Sequence, residues 1–152
     1  MIKLYVFYFV LGIYIFFQSW STWFFSAYND CNIFVTYLSL ISSAILFSIA
    51  SVLSLYNIKK AAIMGLVVLA GVFPFCIYWL TYLYKFEGLT NGTFNQIVLA
   101  AAVLYVVDIF YSIKYIVKQP ENVITLNRPF KLVLTFLPIL LLITWGALFF
   151  IR

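Results

Sequence analysis

The chain has 152 residues, 66% of them hydrophobic and only 9% charged, with nine Lys and Arg, four Asp and Glu and no histidine. A soluble domain covers its surface with about 25% charged residues, so lipid must be the solvent for most of this one, and the missing histidine removes the commonest general base and metal ligand. The net charge of +5 does not point to nucleic acid, because the basic residues stand singly or in pairs between apolar runs, as membrane topology requires.

A helix needs about 20 apolar residues to cross the hydrocarbon core. Five stretches meet that length, at about 4–25, 33–55, 61–84, 97–117 and 132–151. The first starts like a signal peptide, with Lys3 ahead of an apolar run. It runs too long, however, and lacks a small-x-small cleavage pattern around Phe25-Ser26-Ala27, so an uncleaved span is expected. Gln18, Ser19, Ser21 and Thr22 cluster in its outer part, which makes it the weakest of the five as a span. Trp20 and Trp23 are expected at the outer interface, with Tyr78, Trp79, Tyr82 and Tyr84, and Tyr5 and Tyr8 at the inner one.

The second span is rich in serine. On a helical wheel Thr36, Ser39, Ser43, Ala50 and Ser54 share a face, flanked by Ser42 and Ser51. Small residues let helix backbones approach, and hydroxyls bond back to their own i−4 carbonyls. A packing seam is the expected role, and the polar wall of a conduction path is the alternative. The basic turn Tyr56-Asn57-Ile58-Lys59-Lys60 leads to the third span, where Ala61 and Gly65 form a small-xxx-small pair. Pro74 removes a backbone donor and is expected to kink that helix near Ala70. Asn91-Gly92 marks a turn, and with Thr93 it matches a glycosylation acceptor pattern.

The fourth span carries Asp108 near its middle, while Asp30, Glu87 and Glu121 fall in predicted loops. An acid at that depth costs roughly 2.5–3.5 kcal/mol on insertion scales, and such residues mark functional sites by default. Tyr105 and Ser112 share the face of Asp108, with Ala101 and Tyr115 further along and Tyr111 at the border. Lipid cannot satisfy that face, so it should point into the protein. Lys114 lies roughly 120° round the helix and is expected to snorkel to the surface. Three roles compete for Asp108. It is a protonated acid bonded to a tyrosine or serine as structural glue, it pairs with a basic residue of another protein, or it carries protons or cations. Transporters usually show more than one intramembrane acid or broken helices in paired positions, and here there is one acid.

The loops also set orientation. Lys3, Lys59, Lys60, Lys114, Lys118, Arg128 and Lys131 fall on one side, and Lys85 and Arg152 on the other. This bias places the N-terminus in the cytoplasm and the C-terminus outside. Catalysis is not expected: there is no Gly-x-Ser-x-Gly elbow, no His-Glu-x-x-His and no Walker loop. Nor do the four acids share one depth. Cys31 and Cys76 read as free cysteines packed as small apolar residues, and neither a metal nor a cofactor is implied.

The expected fold is therefore all-α, a polytopic integral membrane protein made of one bundle of five transmembrane helices over residues 1–152. The expected function is non-catalytic. The chain acts through helix contacts with other membrane proteins, as an accessory subunit or a toxin-immunity factor. Its partners are then the bilayer and another membrane protein or further copies of itself. A small transporter or channel using Asp108 is the alternative. A bacterial plasma (inner) membrane is the expected location. The abundance of Ile, Phe, Tyr, Lys and Asn, residues of AT-rich codons, fits a plasmid, prophage or organellar gene.

Overall fold

The computed structural model describes residues 2–25, 31–86, 93–118 and 127–150. Side chains are described for these residues except 20–35, 79, 82–86, 93–95, 142 and 145–150. Every element is a helix, and the described residues contain no strand: α1 Ile2–Phe25, α2 Cys31–Ser54, α3 Ile58–Phe86, α4 Thr93–Val117 and α5 Arg128–Phe150. Among the described residues, α1, α2, α3 and α4 each contain a stretch long and apolar enough to cross a membrane.

Several helices start earlier than the apolar runs alone imply. Helix α4 begins at Thr93 rather than Ile97, and α5 at Arg128 rather than Leu132. The reason is local hydrogen bonding, which does not stop where hydrophobicity does. Asn127 accepts the first intrahelical bond of α5, from the Lys131 N–H at 3.0 Å. Asn57 does the same for α3 through Ala61, and its side-chain Oδ1 takes the Lys60 N–H at 3.1 Å. This is the side-chain N-cap that asparagine favours. It allows α2 and α3 to be joined by only Leu55, Tyr56 and Asn57. Helix α3 runs unbroken through Pro74. The Asn91-Gly92 turn, with the asparagine of the glycosylation pattern, lies outside the described residues.

Helices α1 to α4 pack in a ring, each against its neighbours in the chain and α4 against α1. On α1 the buried stripe is Leu4, Tyr8, Leu11, Ile15 and Gln18. This alternation of four- and three-residue steps is the seam of near-parallel bundle packing. Tyr5 and Tyr8 therefore face the interior rather than the inner interface, with exposures of 2% and 0%. The polar residues that made the first span look weak turn inward too. Gln18 and Ser19 are buried, and Ser19 donates to the Phe16 carbonyl at 2.7 Å. Side chains of Ser21, Thr22, Trp20, Trp23, Trp79, Tyr82, Tyr84 and Cys31 lie outside the described set, and Tyr78 is exposed. At Gly12, α1 comes so close to α2 that a Cβ there would meet the Phe47 Cβ at 3.2 Å.

Helix α5 sits outside the ring, packed on α2. Its inner contact is made by Pro138, its one buried residue among those described. Proline has no N–H to give the carbonyl four residues back, which here is Leu134. The Tyr5 hydroxyl donates to that carbonyl at 2.7 Å, so α1 fills the vacancy that Pro138 opens in α5.

Candidate functional site

The site is built from α4 outward. Tyr105, Asp108 and Ser112 are buried along one side of that helix, with Asp108 and Ser112 at 0% exposure. Their spacing of three and four residues is the helical repeat, and the bundle is the only place this row can avoid lipid. Ala101, Tyr111 and Tyr115 are half-buried at the edges of the row, and Lys114 is exposed. Tyr111 packs its ring on Phe7 at 5.3 Å and on Tyr115 at 6.2 Å, with the Lys114 ammonium 5.9 Å from its centroid. It belongs to the α1–α4 seam.

The hydroxyls next to Asp108 are committed elsewhere. Ser112 Oγ donates to the backbone carbonyl of Asp108 at 2.6 Å. A serine has one proton to give, so in the Tyr8–Ser112 hydrogen bond at 2.5 Å the phenol of Tyr8 donates. Tyr105 donates to the Leu69 carbonyl of α3 at 2.5 Å, one residue before the carbonyl that Pro74 leaves without its helical partner. The carboxyl of Asp108 is left out of this network. Both oxygens are buried and have no hydrogen-bond partner among the described residues.

Helix α3 makes room for this arrangement. Gly65 is buried where the Tyr8 ring crosses from α1 towards α4, and a Cβ at Gly65 would overlap that ring. Phe47 of α2 packs on the other flank of Tyr8, at 5.9 Å between centroids. Four helices thus converge on one layer, with Tyr8 at its centre. Neither Tyr8 nor Gly65 is marked as a site residue by the sequence. Their signals were there, in the stripe from Leu4 to Ile15 and in the Ala61/Gly65 pair.

One turn before Asp108 on α4 lies a cavity of about 50 Å³, bordered by Tyr14, Gln18, Val72, Cys76, Val98 and Tyr105. A cavity needs roughly 10–15 Å³ to hold one water, so this one has room for water. Tyr105 is the last α4 residue on its wall, and Asp108 follows about 4.5 Å along the axis. Cys76 carries a free thiol.

The serine face of α2 lies partly aside from the core. Ala50 and Ser54 are buried, whereas Thr36, Ser39 and Ser43 are half-buried. The buried row runs instead through Leu40, Ala44, Phe47, Ser51 and Ser54, about 60° round the helix. Ser42 and Ser43 donate to the Ser39 carbonyl, Ser48 to Ala44, Ser51 to Ser48 and Ser54 to Ser51, all at 2.6–3.0 Å. Each of these hydroxyls is satisfied by its own helix. Groups of three or more acids or cysteines able to hold a metal do not occur among the described residues. Compared with protein-family models, curated proteins and solved structures, the chain matches none.

Proposed function

We propose that this chain is a small, non-catalytic, five-span protein of a bacterial plasma membrane, with its N-terminus inside and its C-terminus outside. In this reading the α1–α4 bundle passes protons or a small cation by way of Asp108. One observation carries the reading: a fully buried carboxyl with no hydrogen-bond partner among the described residues. A structural acid would be expected to spend its oxygens on Tyr8, Tyr105 or Ser112, and those hydroxyls are bonded to other atoms. An acid that pairs with another protein needs a surface, and Asp108 has none. An enclosed carboxyl without a partner among the described residues suits a group that gains and loses a proton or cation, and the cavity beyond Tyr105 suits its supply. Leaving such a carboxylate charged and unpaired costs far more than leaving the acid, so each passage is coupled to neutralising it.

Proteoliposomes holding the purified chain test this with an imposed potential and an internal pH dye. The wild type should dissipate the gradient, Asp108→Asn should abolish the flux, and Asp108→Glu should retain part of it. Equal flux in Asp108→Asn removes Asp108 from the mechanism, and tight wild-type vesicles remove transport itself. The second reading, an accessory or immunity role through helix contacts, draws support from α5, which packs on α2 outside the ring and exposes Leu132, Val133, Phe136, Leu140 and Ile143. A second membrane protein in fixed stoichiometry after extraction into nanodiscs would favour it.

A further inference from the structure

The cleft between α2 and α5 has no part in the Asp108 site. Two cavities adjoin there, both bordered by Ser48 and Pro138. One, of about 200 Å³, reaches along α1 past Gly12 to Phe17 and Leu141. The other, of about 270 Å³, runs the opposite way past Val52 and Leu53 to Tyr56. Pro138 is fully buried against α2 and separates the two, so the cavity at the Tyr56 end follows α2 from Ser48 to Tyr56 for about 12 Å, most of the ~15 Å thickness of one leaflet's hydrocarbon. Its walls are apolar apart from the Ser48 hydroxyl, which is bonded to Ala44, and the Tyr56 end.

That end is basic. The Lys131 ammonium sits 4.0 Å from the centroid of the Tyr56 ring. Thr135 donates to the Lys131 carbonyl, so the Tyr56 hydroxyl donates to Thr135 at 3.1 Å and ties the ring to α5. Arg128 lies three residues before Lys131, on the same side of α5, and Lys59 and Lys60 follow Tyr56 by three and four residues; Arg128, Lys59 and Lys60 are exposed. The N-termini of α3 and α5 begin at Ile58 and Arg128, and helix N-termini add positive potential for an anion.

We infer that the α2–α5 cleft is a binding site for an anionic phospholipid, one acyl chain lying in the cavity between Pro138 and Tyr56 and the phosphate held by Lys131 and Arg128. An apolar groove most of a leaflet deep with cations at its mouth has the chemistry of a lipid and not of a soluble ligand. Charge complementarity selects the anionic kind.

The test is native mass spectrometry of the full chain in detergent, titrated with phosphatidylglycerol or with phosphatidylcholine of the same acyl chains. Phosphatidylglycerol adducts should dominate, and each cation removed should lower that preference about fivefold. Lys131→Gln and Arg128→Gln should therefore bring the two lipids towards parity. Lys114→Gln, on a helix that does not line the cleft, should leave the preference intact. Ser48→Leu, which fills the cavity, should reduce adducts of both lipids, and a preserved melting temperature shows that the variant is folded. Equal retention of both lipids by the wild type overturns the inference, as does an equal effect of Lys114→Gln. Neither readout depends on whether Asp108 moves ions.

Discussion

Gly65 and Tyr8 form the contact on which the site depends. The ring occupies the space a Cβ would need, so Gly65→Ala must push Tyr8 away from Ser112. Overpacking of this kind costs typically 1–3 kcal/mol. In a Tyr8→Ala background the same substitution should cost little, and a double-mutant cycle of unfolding in mixed micelles measures the difference. Additive costs would mean that the ring and the glycine do not meet. Asp108 yields a second expectation at this scale. Because its oxygens make no hydrogen bond within the described residues, Asp108→Asn should change the melting temperature little while it removes flux. A large loss of stability would return Asp108 to a structural role.

At the scale of the element, α5 shows how a proline can be accommodated within a helix. The Leu134 carbonyl, freed by Pro138, takes the Tyr5 hydroxyl. Hydrogen bonds between membrane helices average about 0.6 kcal/mol and reach about 1.7, and Tyr5→Phe should fall in that range. In a Pro138→Ala background the new N–H serves the same carbonyl, so the cost of Tyr5→Phe should shrink towards zero. Helix α2 gives the contrasting case. Its serines bond to their own backbone, and replacing Ser51 by Ala should cost less than about 1 kcal/mol. Phe47→Ala should cost about 3–5 kcal/mol, because Phe47 fills the interior between α1 and α2. The serine-rich face was a visible pattern, yet bulk takes the centre of the seam. Hydroxyls satisfied by their own helix can lie inward, as Ser51 and Ser54 do, or at the edge of the seam, as Ser43 does.

At the scale of the molecule, α1 to α4 form a ring and α5 is an outer addition. A chain ended after Lys118 should keep the four-helix bundle and its Tyr8–Ser112 contact, seen as retained resistance to proteolysis and a cooperative melt, while losing the α2–α5 cleft and any preference for anionic lipid. The five-span reading makes its own demand: a reporter fused after Arg152 should be external, and a cytoplasmic signal there would remove one span.

The sequence by itself determined the helical class and the apolar stretches, because only helices satisfy every backbone group within runs this hydrophobic. It also pointed Tyr105, Asp108 and Ser112 inward as one row, since polar groups on a membrane helix must avoid lipid and their three- and four-residue spacing is a property of one helix alone. Tertiary structure decided what the row meets. That Tyr8 faces Gly65, that Tyr105 reaches the Leu69 carbonyl, and that Tyr5 reaches Leu134 depend on how far each helix is slid and rotated against the next. Such register is fixed by steric fit between side chains far apart in the chain, and no periodicity within a single helix contains it.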